Sequence, residues 1–474
     1  MVFSSAIFLF AFLPLVFIVC RLLPGLRAKN VWLALSSIVF YAFGQLQYVP
    51  LFLLSVLLNY VFGLLLQTGL GCRRALAAGA VALNLGILCV FKYTDFLTGA
   101  VNSLTGASIP LPGITLPIGI SFFTFQGLSY VIDVYRDRGS GARSFFKVLL
   151  YIAFFPQLIA GPIVKYHDIE KQLDGREGSV SLAAGGMRRF ITGLAKKLLV
   201  SNAAGYIADT VFDTLLPSGA LDFRLAWLGA ACYALQIYFD FSGYSDMAIG
   251  LGRMFGFEIR ENFNYPYLSL SLREFWRRWH ISLSTWFREY LYIPLGGSRR
   301  GKARTLFNRM TVFLCTGIWH GANYTFILWG VAHGALTCLE DAGVIPVERL
   351  RKTLPGRLAC RAYTLLAVTL LFVLFRADSI SQAGALIAAM FTAPVTAASA
   401  YQLGRLLTPA AVLTLGLAVF AAAGAAPALD GLCGRIMRAG ARRLLLQTLS
   451  LALLALSVLS LSRGGFNPFI YFQF

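Results

Sequence analysis

Charge is scarce in this chain. Lys, Arg, Asp and Glu make up 13% of its 474 residues, too few to coat an ordinary soluble enzyme. Acid is scarcer still, with 21 Asp and Glu against 41 Lys and Arg. None of the eight cysteines forms a CxxC pair, and most lie in or beside apolar runs. We therefore read no disulfide framework and no metal site. A P-loop, a dinucleotide fingerprint, an HExxH, a kinase signature set and a nucleophilic serine elbow are all lacking, which argues against ATP coupling on this chain. There is no zinc-finger spacing and no basic region followed by heptads. The formal charge of +20 sits mostly in short segments between apolar runs, where membrane orientation explains it better than nucleic-acid binding.

Apolar sequence is what the chain has instead: 58% of residues, with a mean hydropathy of +0.70. Long apolar runs recur from end to end, so the expectation is an all-α, multi-pass membrane protein, one bundle over 1–474 rather than a string of soluble domains. The N-terminus has no basic region ahead of its first apolar run; Arg21 and Arg27 follow it, which predicts a retained first helix with the N-terminus outside. Helices are expected at about 5–22, 30–45, 50–68 and 75–93, then a loop over 96–113. The stretch 114–134, with Pro117 and Gly119, reads as either a span or a broken or re-entrant element, and 146–164, with Pro156, Gly161 and Pro162, as a bent or re-entrant segment. A basic amphipathic helix at 181–200 is expected to lie at or enter the interface, and 206–224, with Asp209, Asp213 and Asp222, reads as an outside loop. Further apolar runs fall at about 226–250, 306–319, 323–340, 361–376, 407–424 and 444–462. That makes about eleven membrane elements, and the aromatic tail 466–474 suits an outer interface belt.

Polar chemistry concentrates in 253–330, the expected catalytic core. Its first part, 253–309, has eleven Lys and Arg against four Glu and is assigned to the cytoplasm. If 272–290 is one helix, Leu272, Trp276, Trp279, Leu283, Trp286 and Tyr290 form an apolar face. His280 then lies on the polar side beside Arg277, whose charge favours the neutral imidazole. Two readings stay open there: a reactive histidine, or one bonded to backbone in a re-entrant loop. His320 interrupts an apolar run between Trp319 and Gly321. A histidine there suits a general base, and the plainer reading is a helix–helix hydrogen bond. His333 reads as structural and His167 as a surface residue. Asp240 and Asp246 stand in the apolar run IYFDFSGYSDMAIG, where carboxylates are rare and need partners. They either orient an imidazole or pair with arginines of 253–288.

Several segments together resemble the membrane-bound O-acyltransferase family, in its bacterial alginate O-acetylase-like branch. They are FFPQLIAGPI at 154–163, IYFDFSGYSDMAIG at 237–250, NFNYPYLSLSLREFWRRWHISLSTWFREYLYIPLGG at 262–297, WHGANYTFILWG at 319–330 and FIYFQF at 469–474. The resemblance implies a helical bundle with re-entrant segments around a central tunnel, with His320 as the catalytic residue and His280 as the second site position. It implies a cytoplasmic acyl donor, with acetyl-CoA as the candidate, and no bound cofactor. It implies an exported polysaccharide such as alginate as acceptor, reached through periplasmic or membrane-anchored acetyltransferase partners, in a bacterial inner membrane. Peptidoglycan, cellulose or another exopolysaccharide are the alternatives. Within that scheme His320 takes a proton from the acceptor hydroxyl, and protonated His280, Asn323 or a backbone N–H faces the oxyanion. Two other classes compete: a transporter of an anionic or lipid-linked substrate, and a non-catalytic scaffold of an envelope polysaccharide complex.

Overall fold

Helices make up all the regular structure among the described residues, 1–68, 71–464 and 470, of the computed structural model. Four are long and apolar enough to cross a membrane: Gly25–Gln67 (broken near Phe43), Arg73–Thr105, Leu354–Arg376 and Ala439–Ser462. Two further pairs are bent, Ile380–Thr392 with Ala397–Leu406 by 103° and Pro409–Ala422 with Ala425–Ile436 by 75°. Each bend has a local cause. Thr396 closes a capping box with Ser399 that starts a new helix, and Gly424 takes a left-handed φ of 74°. The tail 466–474, expected as an interface belt, lies outside the described residues apart from Ile470.

The chain divides into two compact units, Met1–Phe190 with Ser245–Glu261, and Ile191–Tyr244 with Asn262–Phe474. In the first, the helix Ile120–Arg136 is buried along almost its whole length, polar residues included. Asn59 and Asn84 exchange amide hydrogen bonds of 3.1 and 2.9 Å, tying Val49–Gln67 to Arg73–Thr105 where few polar alternatives exist. Arg73–Thr105 outruns its expected end. Residues 96–105 continue the helix, no proline lying between Arg73 and Pro110, and Gly106 stops it with φ 71° and an N–H to Asn102 O of 2.9 Å. The proline-bearing stretch 146–164 is bent: Phe145–Ala153 ends at Phe154, and Phe155–Leu158 starts again with Pro156 in its first turn.

The second unit also departs from expectation at 206–215. This part is helical, reached through π-helical segments at Lys196–Ser201 and Thr210–Leu215. Its acids are paired: half-buried Asp209 and exposed Asp213 both receive Arg376, each at 2.7 Å. The helices Lys302–His320 and Tyr324–Asp341 form a close antiparallel hairpin. A Cβ on Gly317 would collide with Phe326 O, and one on Gly330 with Phe313 O. Only glycine lets the two backbones approach so nearly. That hairpin sets where His320 ends up. Around it the core is aromatic, with Phe275, Trp279, Trp329, Phe372 and Phe375 in one cluster. Such rings lose about 3–5 kcal/mol when truncated to alanine.

Candidate active site

A seven-residue helix cannot hold itself together in isolation, and Leu272–Arg278 is secured at its start from three directions. Ser271 caps it, its Oγ accepting Glu274 N at 2.9 Å. Glu340, from the end of Tyr324–Asp341, accepts Leu272 N at 2.7 Å and Arg273 N at 3.1 Å. Burial raises the Glu340 carboxyl, and the two backbone N–H groups oppose that shift. Finally, the Trp276 indole N–H donates to His333 Nδ1 at 3.3 Å. Two elements are thus joined in the second unit, and His333 serves as their junction. Below Glu340 opens a cavity of about 610 Å³ lined by Arg273, Lys302, Thr305, Glu340, Asp341 and Glu348. Arg273 there is already matched by Asp341 and Glu348.

The helix stops at Arg278, so 272–290 is not one helix. Trp279 is extended, His280 takes a left-handed φ of 44° and ψ of 53°, and Ile281–Phe287 starts anew. A non-glycine residue there costs about 1–3 kcal/mol, and such strain persists only where surroundings over-determine it. Asn262 supplies that determination. Its backbone O accepts Ile281 N at 3.0 Å. Its Oδ1 faces Ser282 N at 3.1 Å, Ser282 Oγ at 2.8 Å and His280 Nδ1 at 3.2 Å. The orphan N–H groups of the second helix find their acceptors here. One more bond, Asn264 N to Arg278 O at 2.9 Å, closes the turn.

The break turns His280 inward. It is 0% exposed, whereas Arg277 remains exposed, so the expected placement of His280 on a polar face beside Arg277 does not hold. Its ring packs edge-on to Phe241 at 4.6 Å and lies 6.2 Å from Trp319. Burial pushes the imidazole below its usual pKa. His320 is the last residue of Lys302–His320 and is also buried. Trp319, Trp329 and Phe375 surround its ring at 5.0, 5.2 and 5.1 Å. Trp319 therefore touches both imidazoles, and the two histidines share one aromatic enclosure.

The remaining candidates have other partners. Asp240 is buried against Lys197 Nζ at 2.6 Å and accepts Ile470 N at 2.9 Å, so its cation is neither a histidine nor an arginine of 253–288. Asp246 accepts Arg189 Nε at 3.0 Å, and the same guanidinium grips Glu261. Asn323 caps Tyr324–Asp341, its Oδ1 accepting Thr325 N at 3.1 Å while its Nδ2 donates to Asp378 O at 2.9 Å. Sequence reasoning assigned nothing to Asn262, Glu340, Lys197 or Phe375. Asn262 lies within the quoted stretch 262–297, yet nothing local marks it as the partner of His280. Among the described residues no group of three His, Cys, Asp or Glu is arranged to hold a metal ion.

Two buried histidines in one enclosure, within a helical membrane chain, can now be set beside known proteins. A profile of the membrane-bound O-acyltransferase family matches residues 136–342, the stretch that includes both histidines. A probable alginate O-acetylase AlgI of Pseudomonas putida is 38% identical over 501 residues, covering all of both chains. The chain belongs to the membrane-bound O-acyltransferase family. Its general activity is therefore acyl transfer at a membrane. The probable alginate O-acetylase AlgI of Pseudomonas aeruginosa is 42% identical over 401 residues, 83% of this chain and 75% of that one. A peptidoglycan O-acetyltransferase of Helicobacter pylori is 37% identical over 418 residues, 81% of this chain and 78% of that one.

Proposed function

We propose that this acyltransferase moves an acetyl group from a cytoplasmic thioester, acetyl-CoA being the candidate, toward a hydroxyl of an exported polysaccharide of the alginate kind. It works in a bacterial inner membrane, with periplasmic or membrane-anchored acetyltransferases completing the delivery. The carrying observation is the shared enclosure of His280 and His320 around Trp319. Full-length likeness to a probable alginate O-acetylase supports the acyl group and the acceptor class.

The chemistry follows from the enclosure. A neutral imidazole of the pair takes the proton of the acceptor hydroxyl. The oxygen forms a bond to the thioester carbonyl carbon, the C–S bond breaks, and the proton returns to the leaving thiolate. Aromatic walls keep water from the thioester, which limits hydrolysis. One N–H of Asn323 Nδ2 donates to Asp378 O, and its second N–H, with backbone N–H groups, is left for the oxyanion. Exposed Arg299, Arg300, Lys302 and Arg304 offer an anionic donor a positive approach.

The test is acetyl-ester content of exported polymers in wild type and in His320→Ala at matched membrane levels. Loss of ester from one polymer names the acceptor and supports His320 as essential. Unchanged ester on every polymer removes His320 from the chemistry and returns the chain to transport or scaffolding. Peptidoglycan is assayed alongside the exopolysaccharides, since the Helicobacter pylori relative favours it as a second acceptor.

A further inference from the structure

Three helix ends of the first unit meet at Arg73. Val49–Gln67 and Ile120–Arg136 finish there, and Arg73–Thr105 begins there. Arg73 fastens them. Its Nε donates to Leu66 O at 3.1 Å, its Nη2 donates to Tyr135 O at 2.9 Å, and the guanidinium lies 5.4 Å from the centre of the Tyr135 ring. Carbonyl oxygens satisfy hydrogen bonds but carry no net negative charge, so Arg73 has no counter-ion in them. Beside it opens a cavity of about 750 Å³ whose lining includes Cys72, Arg73, Arg74, Tyr135 and Arg136. No Asp or Glu lines that cavity. The two acids nearest in sequence are used elsewhere: Asp133 lies 3.0 Å from His167 Nδ1, and Asp137 Oδ1 accepts Gly139 N at 2.9 Å. Arg74 is exposed and has no partner among the described residues. Membrane orientation asks only that basic residues lie inside. It does not ask that arginines from segments remote in sequence converge on one cavity without an acid.

We propose that this cavity binds the phosphate headgroup of an anionic phospholipid of the cytoplasmic leaflet. Arg73 and Arg74 start one helix, and Ile120–Arg136 leads into Arg138, Arg143 and Lys147, a run of basic residues that puts these ends inside. Arginine suits the ligand, because its planar fork offers two parallel N–H groups to two phosphate oxygens. Basic pockets at the cytoplasmic ends of membrane helices take such headgroups. Arg73 is already held by Leu66 O and Tyr135 O, so it has little side-chain freedom left to lose on binding. A lipid, rather than a soluble phosphate, follows from what adjoins the cavity. Arg73–Thr105 is long and apolar enough to cross a membrane, yet only 22% of its apolar stretch is covered by the rest of the protein. Leu85 and Val90 are 41% and 53% exposed along it. A phosphate held at the start of this helix lays its acyl chains along that bare flank. The headgroup also relieves the mutual repulsion of Arg73, Arg74 and Arg136, which steadies the junction of the three helix ends.

The test is thermal unfolding of the detergent-solubilised full chain while phosphatidylglycerol or phosphatidylcholine is titrated in, with native mass spectrometry counting bound lipid. Phosphatidylglycerol is expected to raise the unfolding temperature to a plateau, and phosphatidylcholine to leave it in place. Arg74→Gln with Arg136→Gln is expected to weaken phosphatidylglycerol binding about 30-fold, from about 1 kcal/mol for each basic residue. Arg73 is left alone because it ties the helix ends. Arg438→Gln with Arg443→Gln removes the same charge from other exposed positions and is expected to leave the binding unchanged. Equal weakening by both pairs, or an equal response to both lipids, overturns the proposal, since the attraction is then the general positive charge of the chain. Stabilisation by inorganic phosphate or coenzyme A, lost in Arg74→Gln with Arg136→Gln and not matched by phosphatidylglycerol, overturns the lipid as occupant. Should the double variant fail to fold, Arg74→Gln alone decides, its side chain having no partner to lose. An about 5-fold weakening is then expected, and undiminished affinity overturns the site.

Discussion

His167 and His280 are the same side chain in opposite circumstances. In the first unit His167 lies half in water. Its Nδ1 is 3.0 Å from Asp133 Oδ2 and its Nε2 is 3.3 Å from Asp168 Oδ1. The hydrogen bond to Asp133 raises its pKa above the usual imidazole value, against the opposing effect of burial. In the second unit His280 meets an amide oxygen and two aromatic rings, and burial acts unopposed. A carboxylate partner favours the charged imidazole and fastens a surface turn. An amide partner orients the ring without charging it, and leaves a nitrogen able to accept a proton. Location at a fold's interior does not by itself determine the role; the atom facing Nδ1 does.

Where the second unit does bury a charge, it is matched, and breaking that match is the most severe test of the contrast. Lys197→Met leaves the buried Asp240 carboxyl without its cation and should destabilise the protein by about 3–5 kcal/mol. Lys197→Met with Asp240→Asn removes both charges but keeps an acceptor for Ile470 N, and should recover most of that loss. Thermal unfolding of the detergent-solubilised protein reads both. An intermediate effect is expected from Glu340→Gln. A glutamine oxygen still accepts from the start of Leu272–Arg278, but the charge at the helix N-terminus is gone. The cost should be about 1–2 kcal/mol, and acetyl transfer should fall because this helix leads into His280. An unchanged unfolding temperature and unchanged transfer would show that the anchor is dispensable.

The smallest effect belongs to His167. Its folded pKa is raised, so the stability it contributes is complete below the ordinary imidazole value near 6.5. That contribution is lost as pH rises through the raised folded value. Asp133→Asn should flatten this part of the stability–pH curve and bring the imidazole titration, followed by NMR, down toward its ordinary position. The polymer-acetylation phenotype should be untouched, which would separate the surface histidine from the buried pair. A titration that does not move would deny Asp133 its part.

How far the sequence could be read varied with distance along the chain. Helix Tyr324–Asp341 lies close to the expected 323–340, because an uninterrupted apolar run and the Asn323 cap are local signals. The bent stretch over 146–164 was likewise visible in Pro156 and Gly161. By contrast, the aromatic spacing from Leu272 to Tyr290 satisfies one continuous helix, and the break at His280 is imposed by Asn262 from outside that window. The same holds for Asp240. Its cost in an apolar run was plain, but the partner, Lys197, sits on a separate helix, expected to lie at or enter the interface, that nothing local linked to Asp240. Asp209 and Asp213 suggested an outside loop only because Arg376 could not be placed against them.

Composition and periodicity alone were enough for an all-α membrane chain, since hydropathy and helical spacing accumulate over neighbouring residues; the two histidines of the WHISLSTW and WHGANYT stretches stood out as polar groups, and their roles came from the resemblance. The protonation of those histidines, the partner of each buried carboxylate and the use of Asn262 emerged only with the tertiary structure. Those properties depend on which atoms are brought within about 3 Å of one another and on how completely water is removed. Both are settled by residues remote in sequence, through packing that no local pattern encodes.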